Sequence, residues 1–337
     1  MGGDLILGRF DKATVFAFAC SILLLLLGAL AKPDFLSVDY IVQQLQTASF
    51  LGIIATGTML VILLGHIDLS IPWTITLGAM MATGAQGLLS RYVGPDVALQ
   101  LSIPFGVFCG MMVGLVNGIG VAYLRAPSMI FTLGVNAVAQ GLMVYHTGGF
   151  SPQDGASTLM RELAVGRLIP GVPNPLLIWI AVGVLTVFML TRTTLGRRIY
   201  AIGNKERAVY LSGVDAKLVV LICFVIAGGC AALGGVLLAG WANRSFQAMG
   251  DPYLLPAIAS VVLGGANVMG GKGRYLGTVA GVILITLLMS ILSVLQPQTM
   301  LAQLGWKIPA DSVRQVTFGV VVVGMLLLYG RSSKIRA

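Results

Sequence analysis

LVVLICFVIAGGCAALGGVLLAGW, residues 218–241, is a long apolar run without a charged side chain. A membrane-spanning helix needs about 20 mostly apolar residues, so this run is long enough to cross a bilayer. Helices that are apolar on every side occur in lipid or in very large protein interiors. The run therefore predicts a transmembrane helix, and the rest of the chain has to agree with it.

The whole chain has the composition of a membrane protein. Of its 337 residues, 57% are hydrophobic and 10% are charged, and the mean hydropathy is +0.94. Soluble domains are about half apolar and a quarter charged, so a soluble protein is excluded. The net charge of +9 comes from basic residues scattered between apolar runs. No basic stripe with interleaved aromatics is present, so the expected surrounding is membrane lipid and no nucleic acid partner is expected.

Scanning for similar runs predicts an all-α, polytopic membrane protein with ten transmembrane helices in one transmembrane domain, residues 1–337. The predicted spans are residues 13–31, 41–64, 71–90, 98–124, 127–146, 175–191, 218–241, 253–271, 276–296 and 313–330. The first run ends in Ala29-Leu30-Ala31, which resembles a signal-peptide cleavage site. Because the run is longer than a signal core and many spans follow, we expect it to stay as the first transmembrane helix.

The positions of Lys and Arg predict the orientation, because cytoplasmic loops carry an excess of them. With the N-terminus in the cytoplasm, two thirds of the 21 Lys and Arg residues fall on the cytoplasmic side. Ten spans then place both termini in the cytoplasm. Two long connections remain, an extracytoplasmic loop at 147–174 and a cytoplasmic loop at 192–217.

The sequence lacks the motifs of a self-contained enzyme. There is no G-x-x-x-x-G-K-[ST] nucleotide cradle, since Gly271-Lys272 is followed by Gly273. There is also no H-E-x-x-H and no G-x-S-x-G. The four cysteines lie in apolar segments without a C-x-x-C pair or a neighbouring His. We therefore expect no catalytic residues, no cofactor and no metal in this chain.

The cytoplasmic loop contains LGRRIYAIGNKERAVYLSGV, residues 195–214, which is unusually rich in charge for this chain. Asn204 suits a helix N-cap, residues 205–212 are compatible with a helix, and Gly213 suits a left-handed helix end. So short a helix is marginal in water, which indicates that it docks against a partner surface. The alternative is a solvated basic loop near anionic lipid headgroups.

Three blocks of sequence resemble the permease subunits of bacterial ribose/xylose/galactose-type ABC importers. They are Ile67-Asp68-Leu69-Ser70, then 196–204 with Ala208 and 211–214, and 257–265 with 270–273 and 276–278. The resemblance runs from about residue 40 to 330 and implies a permease for a sugar or related neutral polyol in the bacterial inner membrane. It also implies an ABC ATPase that binds ATP and Mg²⁺, a second permease copy or a paralogue, and an extracytoplasmic solute-binding protein.

In that family the loop after the sixth span is a coupling helix seated in a cleft of the ATPase. The resemblance therefore implies a coupling role for Gly196, Arg197, Arg198, Tyr200, Gly203, Asn204, Arg207, Ala208, Leu211, Ser212 and Gly213. The first block departs from the family's usual Gly-Gly-Ile-Asp-Leu-Ser-Val-Gly, because His66 and Pro72 replace glycines. We expect a stiffer backbone there, which puts in doubt any particular substrate preference borrowed from relatives.

Neutral polar residues are plentiful in or beside the spans, whereas ionisable residues are few. Such a pathway suits a neutral, hydroxyl-rich solute better than an ion. The candidate pathway residues are Asp68, Trp73, Asn117, Phe131, Asn136, Gln140 and Asn267. For the amides the alternative is a hydrogen bond between helices, and for Asp68 it is a turn leading into Pro72.

Four glycines in or beside the spans, Gly114, Gly118, Gly264 and Gly265, are expected to allow close helix packing. His66 and His146, near span ends, are expected at the membrane interface.

Two alternatives stay open from the sequence. An ABC permease for a nucleoside, a branched amino acid or a signalling furanose would carry the same blocks. An ion-coupled secondary transporter should show intramembrane carboxylates or a proton relay, and the sequence offers little of either.

Overall fold

The structure is a computed structural model built from helices joined by turns. It describes residues 12–149, 155–211, 213–295, 312, 315–320 and 323–324. The helices are α1 (Lys12–Ala31), α2 (Val38–Leu63), α3 (Ile71–Val93), α4 (Pro95–Ala122), α5 (Ser128–His146), α6 (Thr158–Val165), α7 (Asn174–Arg192), α8 (Thr194–Leu211), α9 (Ala216–Ala242), α10 (Leu254–Leu263) and α11 (Tyr275–Leu295). Apart from two isolated bridges, the described ranges contain no β structure. The predicted all-α fold is confirmed.

Seven of the described helices, α1, α2, α4, α5, α7, α9 and α11, are long and apolar enough to cross a membrane. α3 has 23 residues but a less apolar sequence, because it carries several threonines and ends near Ser90 and Arg91. Its first half is buried, and it packs against both α4 and α9. A multi-pass membrane fold is therefore confirmed.

The core lies around α2 and α9. In α2, 83% of the most apolar stretch is buried inside the protein, against 17% in α5, which lies at the periphery. Small residues allow the inner helices to approach closely, as expected for helices in lipid. A Cβ at Gly114 of α4 would meet the carbonyl group of Phe224 in α9, and a Cβ at Gly118 would meet Leu221.

Gly264, at the end of α10, also allows close packing, because a Cβ there would meet the carbonyl group of Gly277 at the start of α11. Gly265 differs from the expectation, because its φ of +96° places it in a turn rather than in a helix contact.

The predicted span 253–271 is not one helix in the structure. α10 ends at Leu263, and residues 264–274 form turns. Before α10 the chain runs along α3, where the Ser245 and Thr83 hydroxyls are 2.8 Å apart and the Gly250 N–H donates to Thr76 Oγ1 at 3.1 Å. The prediction missed this break because a hydropathy window counts glycine as a permissive helix residue, whereas here glycines adopt left-handed turns.

The two remaining predicted regions are described in part. The loop predicted to be extracytoplasmic contains α6, whose Met160 is fully buried and whose backbone approaches Gly240 of α9. The tenth predicted span, 313–330, lies mostly outside the described residues.

Candidate functional site

α8 is longer than the sequence suggested and is broken in the middle. It begins at Thr194 and ends at Leu211, and Lys205 has an extended backbone (φ −156°, ψ 89°). Asn204 therefore does not cap a helix: its Nδ2 donates backward to the Tyr200 carbonyl oxygen at 3.0 Å. Gly213 has a φ of +74°, the left-handed conformation that was predicted for it.

One face of α8 is docked onto the membrane part of the protein. Ile199 is fully buried and Ile202 is 3% exposed. The missing side chain of Gly203 lets the helix touch the Leu63 carbonyl group at the end of α2. The Tyr200 hydroxyl donates to the Gly273 carbonyl oxygen at 2.9 Å, and burial raises the pKa of that hydroxyl, so it stays a donor at neutral pH.

The opposite face of α8 forms a groove that we call the basic groove, of about 440 Å³. Arg197, Arg198 and Lys205 line it, together with the apolar side chains of Ala201, Val209 and Val214. The three cationic side chains are exposed, and among the side chains that the structure describes, none that lines the groove is acidic. Because residues three and four apart share a helix face, this groove points away from the docked side. Its chemistry suits an acidic group flanked by apolar surface.

Residues 64–70 join α2 to α3 and are called the elbow below. Asp68 is 5% exposed, and its Oδ1 accepts hydrogen bonds from the Ser70 N–H at 2.8 Å and the Ser70 hydroxyl at 2.7 Å. Asn117 of α4 is fully buried, and its Nδ2 donates to Ser70 Oγ at 2.7 Å. The Asn117 Oδ1 has no hydrogen-bond partner among the described atoms. The elbow thus contains two buried polar residues, Asp68 and Ser70, and is held to α4 through Asn117.

α5 holds the elbow from its other side. Its Ser128 and Thr132 side chains accept hydrogen bonds from the backbone N–H groups of Ile67 (3.3 Å) and Leu69 (2.9 Å). One turn further, Asn136 Oδ1 accepts from the Trp73 N–H at 3.2 Å. Residues 128, 132 and 136 are spaced four apart and lie on one helix face, which is the sequence signal that could have revealed them.

The model of one protein family matches residues 40–330 of the chain, and that family is described as "Branched-chain amino acid transport system / permease component". This chain belongs to that permease family. The match covers more than half of the sequence and includes the elbow, α8 and the turns after α10. The permease is a multi-pass protein of the bacterial inner membrane.

Curated relatives of this permease have names that are more specific. The ribose import permease protein of Haemophilus influenzae is 33% identical over 83% of this chain and 85% of its own length. The D-allose transport system permease protein of Escherichia coli is 31% identical over 86% of each chain. The autoinducer 2 import system permease protein of Salmonella typhi is 28% identical over 95% of this chain and 86% of its own length. The resemblance to sugar-importer permeases is confirmed.

The predicted coupling residues of the permease fall into two groups on α8. Gly196, Tyr200, Gly203 and Asn204 contact the membrane part, with Gly196 against the Leu190 carbonyl group. Arg197 and Arg198 line the basic groove on the other side. The side chains of Arg207, Ala208 and Leu211, and the whole of Ser212, lie outside the described residues. The role of these residues in coupling stays a prediction.

The predicted pathway residues do not all come together. Four of them, Asp68, Trp73, Asn117 and Asn136, surround the elbow. The Trp73 ring is buried among methionines, so in this conformation it offers no stacking surface.

The other three pathway candidates lie apart from the elbow contacts. The Phe131 ring packs on Gly120, and Gln140 is exposed on α5. Asn267 lies in the turns after α10, where its Oδ1 accepts from the Met269 N–H at 3.0 Å.

The two histidines of the permease lie where helices end. His66 is half-buried in the elbow, with its ring centroid 6.2 Å from that of Phe224. His146 is exposed as the last residue of α5. Among the described residues, no group of three or more His, Cys, Asp or Glu side chains could hold a metal ion.

Proposed function

We propose that this permease is the membrane subunit of an ATP-driven importer that moves a sugar or related neutral polyol into the cytoplasm. An ABC ATPase subunit, which binds ATP and Mg²⁺, supplies the energy. A second permease copy or a paralogue completes the pathway, and an extracytoplasmic solute-binding protein delivers the cargo. The chain itself binds no nucleotide, cofactor or metal and catalyses no reaction.

The position of α8 is the observation that carries this proposal. One face of the helix is fixed to the end of α2 and to the turns after α10, and the other face presents the basic groove. Such a helix can pass a displacement from a cytoplasmic partner into the membrane part. A solvated loop near lipid headgroups would not need buried residues such as Ile199 and Ile202.

The chemistry of the elbow supports a neutral cargo. Its polar neighbours on α4 and α5 are hydroxyl and amide groups. The elbow itself contains two ionisable residues, the half-buried His66 and Asp68, whose Oδ1 is already occupied by two hydrogen bonds from Ser70. An ion-coupled transporter would need carboxylates or a proton relay within the membrane. The names of the ribose and allose relatives point to the same cargo class.

The coupling role is tested by ATP hydrolysis of the reconstituted complex with residues 203–213 scrambled. We expect hydrolysis stimulated by the binding protein to fall to the unstimulated rate, because the scramble displaces Lys205 and Val209 from the groove and Gly203 and Asn204 from the docked face. Stimulated hydrolysis at the unscrambled rate would refute the coupling role.

A second cargo class is favoured by one relative. The permease for autoinducer 2 is 28% identical over most of this chain, and it suggests a signalling furanose. A nucleoside or a branched amino acid is the further alternative within the family. Competition binding to the cognate binding protein separates these cargo classes. If only other sugars displace a bound pentose or hexose, the cargo is a sugar. If a signalling furanose, a nucleoside or a branched amino acid displaces it, that class replaces the sugar as the proposed cargo.

A further inference from the structure

The backbones of three segments meet at one point: α8 at Gly203, the end of α2 with the start of the elbow, and the turns after α10. The Gly271 N–H donates to the Leu63 carbonyl oxygen at 2.9 Å. A Cβ on Gly203 would meet that same carbonyl group and Gly271, and a Cβ on Gly270 would meet Gly65 and the Gly203 carbonyl oxygen. No side chain fits between these segments. We call Gly65, Gly203, Gly270 and Gly271 the glycine junction.

Two of the three segments can meet in this way because glycine adopts left-handed backbone conformations without a steric clash. Gly65, at the start of the elbow, has a φ of +83°, and in the turns after α10 Gly270 and Gly271 have φ values of +88° and +73°. The junction is therefore specified by sequence.

Two side chains of α8 reach across the junction and fix the helix to the turns. The Tyr200 hydroxyl donates to the Gly273 carbonyl oxygen at 2.9 Å, and Asn204 Nδ2 is 3.4 Å from the Gly271 carbonyl oxygen. α8 is thus held to residues 271–273 by hydrogen bonds in addition to the backbone contact.

Beyond the junction, the elbow is tied to three helices. It contacts α5 through Ser128 and Thr132, contacts α4 through Asn117, and continues directly into α3 at Ile71. Closely packed protein interiors are nearly incompressible and transmit strain. We therefore expect a displacement of the junction to reach the N-terminus of α3 and the parts of α4 and α5 that contain Asn117, Ser128 and Thr132.

We propose that the turns at residues 264–273 are the transmitting element of the importer, with Tyr200, Gly203, Asn204 and Gly271 as positioning residues that pass the movement of α8 to the elbow. This inference rests on the proposed function and adds a route within it. The competing route runs through the chain itself, because α8 follows α7 directly and contacts it where Gly196 meets Leu190.

The variant that separates the two routes is Tyr200→Phe with Asn204→Ala. It removes both side-chain hydrogen bonds to residues 271–273 but keeps the buried ring, the glycine contacts and the connection to α7. The control is Tyr123→Phe at the end of α4, because the Tyr123 hydroxyl has no hydrogen bond among the described residues.

Each complex is reconstituted with its ATPase and binding protein in vesicles, and three quantities are measured: ATPase affinity, stimulated ATP hydrolysis, and solute taken up per ATP hydrolysed. For the double variant we expect unchanged affinity and retained hydrolysis, with uptake per ATP reduced by about fivefold or more, the size of a typical coupling energy. The control should match the wild type. Unchanged uptake per ATP, or loss of ATPase affinity in parallel, would overturn the proposal.

A second measurement covers the case in which the double variant does not fold. Ile67→Cys, introduced into the otherwise unchanged complex, is labelled with fluorescein maleimide before and after trapping with ATP, Mg²⁺ and vanadate. The labelling rate, corrected for the four native cysteines, should change on trapping. Equal rates would mean that the elbow does not follow the ATPase. If the unaltered complex imports nothing with ATP, the proposed function fails. If import works but the double variant keeps its uptake per ATP, or the labelling rates are equal, only the proposed role of residues 264–273 fails.

Discussion

Asp68 shows how one buried side chain sets the geometry of a break between helices. Its Oδ1 accepts both the N–H and the hydroxyl of Ser70, and Ser70 in turn accepts from Asn117. The Asp68 side chain is therefore part of the turn that leads into α3, which is the structural alternative that the sequence left open. A contact with cargo would require the elbow to open.

The role of Asp68 as an acceptor predicts different effects for two substitutions. Asp68→Asn keeps an oxygen for the Ser70 N–H and should cost little stability. Asp68→Ala leaves that buried N–H unpaired, which costs about 1–3 kcal/mol. Thermal unfolding of the purified permease in detergent measures the difference, and equal melting temperatures for the two variants would contradict this account of the turn.

The contact between α4 and α9 gives a prediction for glycine. Gly114→Ala places a Cβ against the Phe224 carbonyl group, so the two helices must separate, at a cost of about 1–3 kcal/mol. Gly87→Ala in α3 is the matched control, because a Cβ there has no neighbour within 4 Å. The melting temperature should fall for Gly114→Ala only, and a similar fall for both variants would show that the helix contact is not the cause.

At the scale of the helices, the sequence predicted what depends on long apolar runs and missed what depends on local backbone geometry. Runs such as 218–241 correspond to long helices, because apolar length is sufficient to predict them. The sequence predicted a helix start at Asn204, within one residue of the break at Lys205, but it missed the helical turns before the break, where Gly203 and Asn204 lie against Leu63 and Gly271. Such a tertiary contact is invisible to local propensity.

The candidate site could be predicted only in part, because its residues are brought together by tertiary contacts. The motif at Ile67–Ser70 and the charged cytoplasmic loop located the two functional regions. The partners on α5, Ser128 and Thr132, were missed because single hydroxyls on an apolar helix are common. Asn267 was placed in the pathway by composition, whereas the structure places it in the turns that contact α8 and the end of α2.

The basic groove makes a prediction about the ATPase. Arg197→Gln with Arg198→Gln removes two exposed charges from the groove, so we expect ATPase affinity to fall by about 1 kcal/mol, roughly fivefold, at low salt. The difference should shrink as salt is added. Arg125→Gln with Arg192→Gln is the control, since it removes the same charge from exposed positions outside the groove. A titration of ATPase onto immobilised permease measures the affinity of the wild type, of this variant and of the control. An equal loss of affinity in the control would contradict the role of the basic groove in ATPase binding.

At the scale of the whole molecule, the contacts around α8 link the basic groove to the elbow without a gap. The basic groove lies on one side of α8, the glycine junction on the other, and the elbow continues from the junction to α3, α4 and α5. The membrane part thus contains a continuous set of contacts through which an external motor could act. No nucleotide-binding motif is present in the chain to replace that motor.

The central claim is that an external ATPase drives this permease, and solute uptake by reconstituted vesicles tests it most directly. The permease is inserted alone or with its ATPase and binding protein, and uptake of radiolabelled sugar is measured with ATP and Mg²⁺ on the ATPase side, with and without ionophores. The account predicts uptake only with all components and ATP, unaffected by ionophores. Uptake by the permease alone, driven by an ion gradient and abolished by ionophores, would contradict it.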